Sequence, residues 1–109
     1  DTWSLWAETA LNVNQELVTK ASAVFHHFIV DIKTTDAAIY KDYTGRDMTR
    51  ALDNLLYLKG LIGAESITVR VPVIPGYTDS AKQQKSANYL SSLGFTDIDT
   101  FTYRTDIRK

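Results

Sequence analysis

The sequence predicts an α/β protein whose elements alternate as β-α-β-α-β-α-β within a single domain, residues 1–109. Two observations predict this class. Short segments rich in β-branched and aromatic residues are separated by longer segments in which apolar residues recur at helical spacing. Helical connections of this length join parallel strands through right-handed crossovers, so a parallel sheet is expected.

Four segments carry the strand pattern. In the clearest one, β-branched residues alternate with Thr68 and Arg70, so the guanidinium lies near the carboxyl end of an otherwise apolar strand. Pro72 and Pro75 have no backbone donor and are expected to end its pairing in the sheet. The predicted strands are residues 2–7, 28–33, 67–71 and 97–103.

Helical spacing predicts three helices and one short helical turn. Asn14 can cap the first helix, and Asp79 or Ser80 can cap the last. Gly60 and Gly63 are expected to end the middle helix. Its wide apolar stripe comprises Leu52, Leu55, Leu56 and Leu58. The helical segments are residues 14–25, 37–42, 48–61 and 80–93.

Two architectures fit this order of elements: an open parallel sheet with helices on both faces, or half of a barrel with all helices outside. The charged residues favour the half-barrel. Glu8, Asp31, Lys33 and Arg70 are predicted to point to one face at the carboxyl ends of the first three strands. A shared polar face suits a barrel interior better than a sheet covered on both sides.

The carboxyl ends of parallel strands converge, so the polar residues that follow them should ring one mouth. Arg70 can clamp a carboxylate, and Lys33 can act as a point charge or as a nucleophile. Such a mixed set suits a zwitterionic or anionic small molecule, although ion pairing alone explains any one member equally well. The candidate site residues are Glu8, Thr9, Asp31, Lys33, Arg70 and Arg104.

Composition excludes several other classes of protein. The net charge of -1, without a block of basic residues, gives no argument for a nucleic-acid or membrane partner. The absence of cysteine excludes disulfides, a thiolate nucleophile and an iron–sulfur site built from this chain's own thiolates. No apolar stretch is long enough to cross a bilayer, and a cytoplasmic protein is expected.

Three other features are interpreted as structural. His26 and His27 are adjacent at a predicted helix end and point in different directions, so a surface or capping role is expected rather than a metal site. Asp97 and Asp99 are assigned to the exposed start of a strand. The glycines of the middle helix follow a helix rather than a strand, so they do not form a phosphate loop.

Five segments, which together span most of the chain in order, resemble the glycyl-radical-enzyme activating proteins, the family of pyruvate formate-lyase activating enzyme. The Asp-Ile-Lys and Arg-Val-Pro-Val-Ile-Pro-Gly-Tyr pieces are the most specific. The segments are Glu8-Thr9-Ala10, Phe28-Ile29-Val30-Asp31-Ile32-Lys33, Tyr43-Thr44-Gly45, Asn54-Leu55 and Val69-Arg70-Val71-Pro72-Val73-Ile74-Pro75-Gly76-Tyr77-Thr78-Asp79.

The resemblance implies a radical S-adenosylmethionine enzyme on a partial (β/α)6 TIM-like barrel, of which this chain is the carboxyl-terminal half. By the same resemblance the six candidate residues hold S-adenosylmethionine, with a monovalent cation in some members, and the partner is a glycyl radical enzyme such as pyruvate formate-lyase. The family's [4Fe-4S] cluster is bound by cysteines of the amino-terminal half. No catalytic residue and no metal ligand is therefore assigned to this chain, which is expected to be inactive alone.

This sequence departs from the family pattern at two places. Leu11 stands where a glycine usually follows the acidic-Thr pair, and Thr102-Tyr103-Arg104 replaces Pro-Tyr-His. Arg104 donates hydrogen bonds but cannot act as a neutral imidazole. Two other hypotheses stay open: an aldolase-like barrel enzyme that uses Lys33 as a Schiff-base nucleophile, and a non-catalytic docking domain.

A half-barrel keeps unpaired strand edges and an inner face without an opposite wall. Trp6 and Ile29 are apolar residues expected on that inner face. The chain is therefore expected to associate with itself.

Overall fold

The computed structural model describes residues 6–9, as backbone, and 14–102. Within them four parallel strands form one sheet in the order β1-β2-β3-β4. Glu8 is in register with Ile29, and Arg70 lies between Asp31 on one side and Asp99 on the other. The strands are β1 (Trp6–Thr9), β2 (His27–Asp31), β3 (Ile67–Val73) and β4 (Ile98–Thr102).

Four α-helices connect the strands, and side-chain caps mark where three of them begin. Asn14, Asp36 and Asp79 each accept hydrogen bonds from backbone N–H groups of the first turn that follows. Gly45 ends the second helix in the left-handed region, at φ 75°. The helices are α1 (Gln15–Ser22), α2 (Ala37–Thr44), α3 (Met48–Ile62) and α4 (Ser80–Ser92). None of the helices in the described residues is long and apolar enough to cross a membrane.

The two faces of the sheet have opposite character. Parallel strands in sequential order, joined by right-handed crossovers, place every connecting helix on the same face. The covered face is apolar and buried, and α3 and α4 contribute Leu55, Leu58 and Leu90 to the same core. Its strand residues are Phe28, Val30, Ile67, Val69 and Val71. This one-sided layering confirms the predicted α/β fold with the arrangement of half a barrel.

Several predicted boundaries differ from the observed ones. The predicted strand 2–7 overlaps β1 at residues 6 and 7, and residues 2–5 lie outside the described part. The first helix ends at Ser22 rather than residue 25, because the N–H groups of Val24 and Phe25 both turn back to the Ala21 carbonyl. His27 opens β2 instead of ending that helix.

Pro72 does not end the sheet, as the sequence had suggested, because β3 continues through it to Val73. The Arg70 carbonyl accepts a hydrogen bond from the Ile32 N–H on the β2 side at 3.0 Å. Residues two apart direct their backbone groups to the same side, so the Pro72 nitrogen also faces β2, which has already ended at Asp31. The missing donor therefore falls beyond the paired part of β2, while pairing with β4 continues.

Helix α3 departs from its predicted pattern at two positions. Leu56 is 41% exposed and does not belong to the buried stripe formed by Leu52, Leu55 and Leu58. Gly60 lies inside the helix, and Gly63 alone caps it. Leu56 follows Leu55 by one residue, which turns its side chain by about 100° away from the core.

We predict that the chain associates with itself in solution. In the described residues β1 and β4 are the outer strands of the sheet, and each pairs on one side. Unpaired strand edges and an uncovered face favour association. Sedimentation velocity over a range of concentrations checks this: the expected result is a sedimentation coefficient that rises with concentration. A single monomeric species at high concentration would contradict it.

Candidate functional site

One face of the sheet is covered by none of the described helices, and this uncovered face carries a charged cluster at the carboxyl ends of β2 and β3. Asp31 and Arg70 are register partners on adjacent strands, so their side chains leave the sheet on the same side. Lys33 lies two residues beyond Asp31, and its Nζ is 3.1 Å from Asp31 Oδ2. The side chains of Lys33 and Asp31 are only 19% and 23% exposed, so this ion pair is largely withdrawn from water.

One oxygen of this cluster has no protein partner among the described residues. Asp31 Oδ1 is buried and accepts no hydrogen bond, although Oδ2 of the same carboxylate pairs with Lys33. A buried acceptor without a donor costs free energy, and such atoms in native structures often face a ligand or an ion. Asp31 Oδ1 is therefore suited to receive a donor from outside the described chain.

Arg70 is held from the β4 side by two residues that sequence reasoning did not include in the site. Its Nε lies 3.6 Å from Asp99 Oδ2, and its guanidinium carbon lies 4.3 Å from the centre of the Phe101 ring. Asp99 is exposed, as expected, but it is an ion-pair partner of Arg70 as well as part of a strand. The alternation of Asp99 and Phe101 along one strand was the only sequence signal for this role.

Gln83 joins the carboxyl ends of β3 and β4. Its Nε2 donates to the carbonyls of Val71 and Phe101, both at 2.9 Å. One amide therefore uses both of its hydrogens to hold the edge strand beside β3. Because Phe101 stacks on Arg70, Gln83 helps to position the guanidinium from the opposite face of the sheet.

The loop after β3 lies at the same end of the sheet. Gly76 takes a left-handed conformation, at φ 89°, that other residues adopt rarely. Tyr77 then meets the ring of Tyr43 edge-on, with 4.8 Å between the ring centres. This contact ties the loop to the end of α2.

A series of hydrogen-bonded side chains crosses the amino ends of β2 and β3 and reaches the residue before β4. The Thr68 hydroxyl donates to Asp97 Oδ2 at 2.6 Å, so it accepts the hydrogen bond from His27 Nε2 at 2.8 Å. The expected capping role of His27 is wrong, because His27 opens β2 instead of ending a helix; its ring is half-buried on the uncovered face. No group of metal-ligating residues occurs within the described ranges 6–9 and 14–102.

The structure brings together three of the six predicted site residues, Asp31, Lys33 and Arg70. Glu8 and Thr9 lie in β1, in register with Ile29 and Val30, and their positions in the site stay predictions. Arg104 lies outside the described residues, as does Leu11.

Comparisons with known proteins support the family resemblance. No family model matches the chain. The isethionate sulfite-lyase activating enzyme of Nitratidesulfovibrio vulgaris strain Hildenborough is 32% identical over 73 residues, which are 67% of this chain and 24% of that protein. A crystal structure of a domain of pyruvate-formate lyase-activating enzyme from Bacteroides vulgatus matches with a TM-score of 0.74 and 21% identity, covering 94% of this chain and 64% of that one.

The fold matches that of an activating-enzyme domain, and the sequence is similar to an activating enzyme over two thirds of this chain. Both comparisons support the resemblance to the activating-enzyme family that includes pyruvate formate-lyase activating enzyme. The matched segment spans about a quarter of the length of the curated relative.

We predict that Gln83→Leu lowers the free energy of unfolding by about 1–3 kcal/mol, because it leaves two partly buried carbonyls without their shared donor. Denaturant unfolding monitored by circular dichroism measures the change. The matched control is Gln84→Leu, which loses only an exposed bond to Asn88 and should cost less than about 0.5 kcal/mol. Equal losses in the two variants would contradict the bridging role of Gln83.

Proposed function

We propose that the protein containing this chain installs a glycyl radical on a partner enzyme, using S-adenosylmethionine and a [4Fe-4S] cluster. The chain contributes part of the face that binds the cofactor and the partner's glycine-bearing segment. The single observation that carries this proposal is the cluster of Asp31, Lys33 and Arg70 at the carboxyl end of the sheet, with a buried carboxylate oxygen unpartnered in the described chain.

The donor set of this face fits the amino-acid end of S-adenosylmethionine, which carries one ammonium and one carboxylate. Asp31 Oδ1 is a buried acceptor suited to an ammonium or a monovalent cation. Arg70 presents guanidinium N–H groups that suit a carboxylate, and Lys33 adds a positive charge on the same side. By the family resemblance, Glu8, Thr9 and Arg104 complete the proposed site, which as a whole holds chiefly the ribose and methionine end of the cofactor.

The [4Fe-4S] cluster does not fit this chain. A cluster of this kind is held by cysteine thiolates, and the sequence contains none. The cluster ligands would have to come from elsewhere in the protein, in keeping with the proposal that this chain is the carboxyl-terminal part of a radical S-adenosylmethionine barrel. When bound, the cluster and cofactor supply the radical chemistry.

Within the described residues, the tasks of this chain are binding and orientation. The stacking of Arg70 on Phe101 and its ion pair with Asp99 restrict the guanidinium to one region above the sheet. The ion pair with Lys33 holds Asp31 Oδ2 in place and leaves Asp31 Oδ1 available to a ligand. Two opposite charges are thus presented at fixed positions to a zwitterion. A cytoplasmic location forms part of the proposal.

We predict that Arg70→Ala, in the full-length protein, weakens S-adenosylmethionine binding by about tenfold to a hundredfold, the loss expected for a charged hydrogen bond. Isothermal titration calorimetry measures the affinity, and the visible absorption of the cluster reports that the cluster is intact. Arg50→Ala is the control, because this exposed arginine lies on α3, on the other face of the sheet. Unchanged affinity in Arg70→Ala would remove Arg70 from the site.

The aldolase-like hypothesis makes a different prediction for Lys33. A Schiff base forms at a free amine, whereas Lys33 Nζ is engaged in an ion pair with Asp31 Oδ2 at 3.1 Å. We therefore expect no covalent adduct when the protein is treated with pyruvate or dihydroxyacetone phosphate and borohydride. Intact mass spectrometry checks this, with Lys33→Met as the control. A borohydride-stable adduct that Lys33→Met abolishes would favour the aldolase-like hypothesis.

A further inference from the structure

A cavity of about 380 Å³ lies on the helix-covered side of the sheet, away from the charged cluster described above. Thr34, which lines it, is 1% exposed and follows the alternation of the buried residues Val30 and Ile32. The cavity is bounded by the connection between β2 and α2, the start of α3, and one face of α4. Its size is within the range of sites that bind small molecules.

The α4 wall of this cavity is polar where a helix of a barrel usually packs on its neighbour. Lys82, Lys85, Ser86 and Tyr89 follow the i, i+3, i+4, i+7 spacing that places residues on one helix face. Neither Lys82 nor Lys85 has an ion-pair partner among residues 14–102. Two positive charges therefore face the same space, which favours an anionic occupant.

Ser86 adds an independent sign of a ligand. The side chain is buried, with 2% exposure, yet it lines the cavity. Its oxygen accepts hydrogen bonds from the Thr35 N–H at 2.9 Å and from the Thr35 hydroxyl at 3.1 Å. Both lone pairs are used, and within the described chain the Ser86 O–H has no acceptor. A ligand oxygen would satisfy this buried donor.

Asp36 limits the charge that the cavity can accept. Its Oδ1 accepts hydrogen bonds from the N–H groups of Ala38 and Ile39 at the start of α2. The carboxylate is therefore engaged as a helix cap, and it lines the cavity together with Lys82 and Lys85. The three charges sum to one positive charge, which suits a monoanion better than a dianion.

We propose that this cavity binds a small organic carboxylate. The carboxylate lies between Lys82 and Lys85 and accepts a hydrogen bond from Ser86 Oγ, while its apolar body contacts Met48 and Tyr89. The site is separate from the proposed cofactor face, and its occupancy does not depend on the radical chemistry.

Ligand titrations of the full-length protein test the proposal. Binding is followed through the amide NMR signals of Thr35 and Ser86. The probes are acetate, benzoate, inorganic phosphate and the uncharged benzamide. We expect saturable shifts with benzoate, weaker ones with acetate, and none with benzamide. Equal shifts with benzamide would overturn the anion site. Saturation by phosphate alone would overturn the carboxylate class.

Variants that remove a charge from the cavity should change the affinity for benzoate in opposite directions, depending on the sign of the charge removed. Lys82→Gln and Lys85→Gln should each weaken benzoate binding by about two- to fivefold, as expected for one exposed charge contact. Asp36→Asn keeps a capping side chain and removes the negative charge, so it should tighten binding. Lys20→Gln, on α1, should leave it unchanged. All four positions tolerate substitution because they are exposed, and unaltered affinity in the Lys82 and Lys85 variants would overturn the proposal.

Discussion

The parallel pairing of β2 with β3 is the constraint on which the rest of the structure depends. Val30 pairs with Val69 and Asp31 with Arg70, and the Ile32 N–H closes the ladder on the Arg70 carbonyl. A slip of one residue would move Arg70 to the helix side and Val69 to the uncovered face, because side chains alternate along a strand. The cost of burying a guanidinium among apolar residues prevents this slip. The apolar face thus fixes the position of the charged one.

The edge strand β4 then determines how Arg70 is presented. Asp99 and Phe101 reach the guanidinium from β4, and Gln83 reaches the end of β4 from the other face. Gln83 on one face of the sheet therefore supports, by way of β4, the side chain of Arg70 on the other face. Arginine suits this arrangement because its planar group can stack on an aromatic ring and still donate along its edges.

The pattern of strands alternating with helices, with polar residues at the carboxyl ends of the strands, was enough to predict the fold class and to place Asp31, Lys33 and Arg70 together. It could not predict the contribution of Asp99 or Phe101, since these residue types are ordinary in a strand and their role depends on the register of β4 against β3. The prediction that Pro72 ends the sheet is wrong for a related reason: a missing donor matters only if a neighbouring strand remains on that side. His27 was misplaced because α1 ends earlier than its apolar pattern suggested.

The two faces of the sheet differ in how their buried oxygen acceptors are satisfied. On the helix side the core residues are apolar, and the oxygens of the buried Thr34 and Ser86 accept hydrogen bonds. On the uncovered side the ion pair of Asp31 with Lys33 leaves one buried oxygen without a donor in the described residues. The free energy lost at such an atom is recovered only when a donor arrives, so the unsatisfied oxygen favours the bound state over the unbound one. The incomplete satisfaction of Asp31 is thus a physical reason for the uncovered face to bind a cationic group.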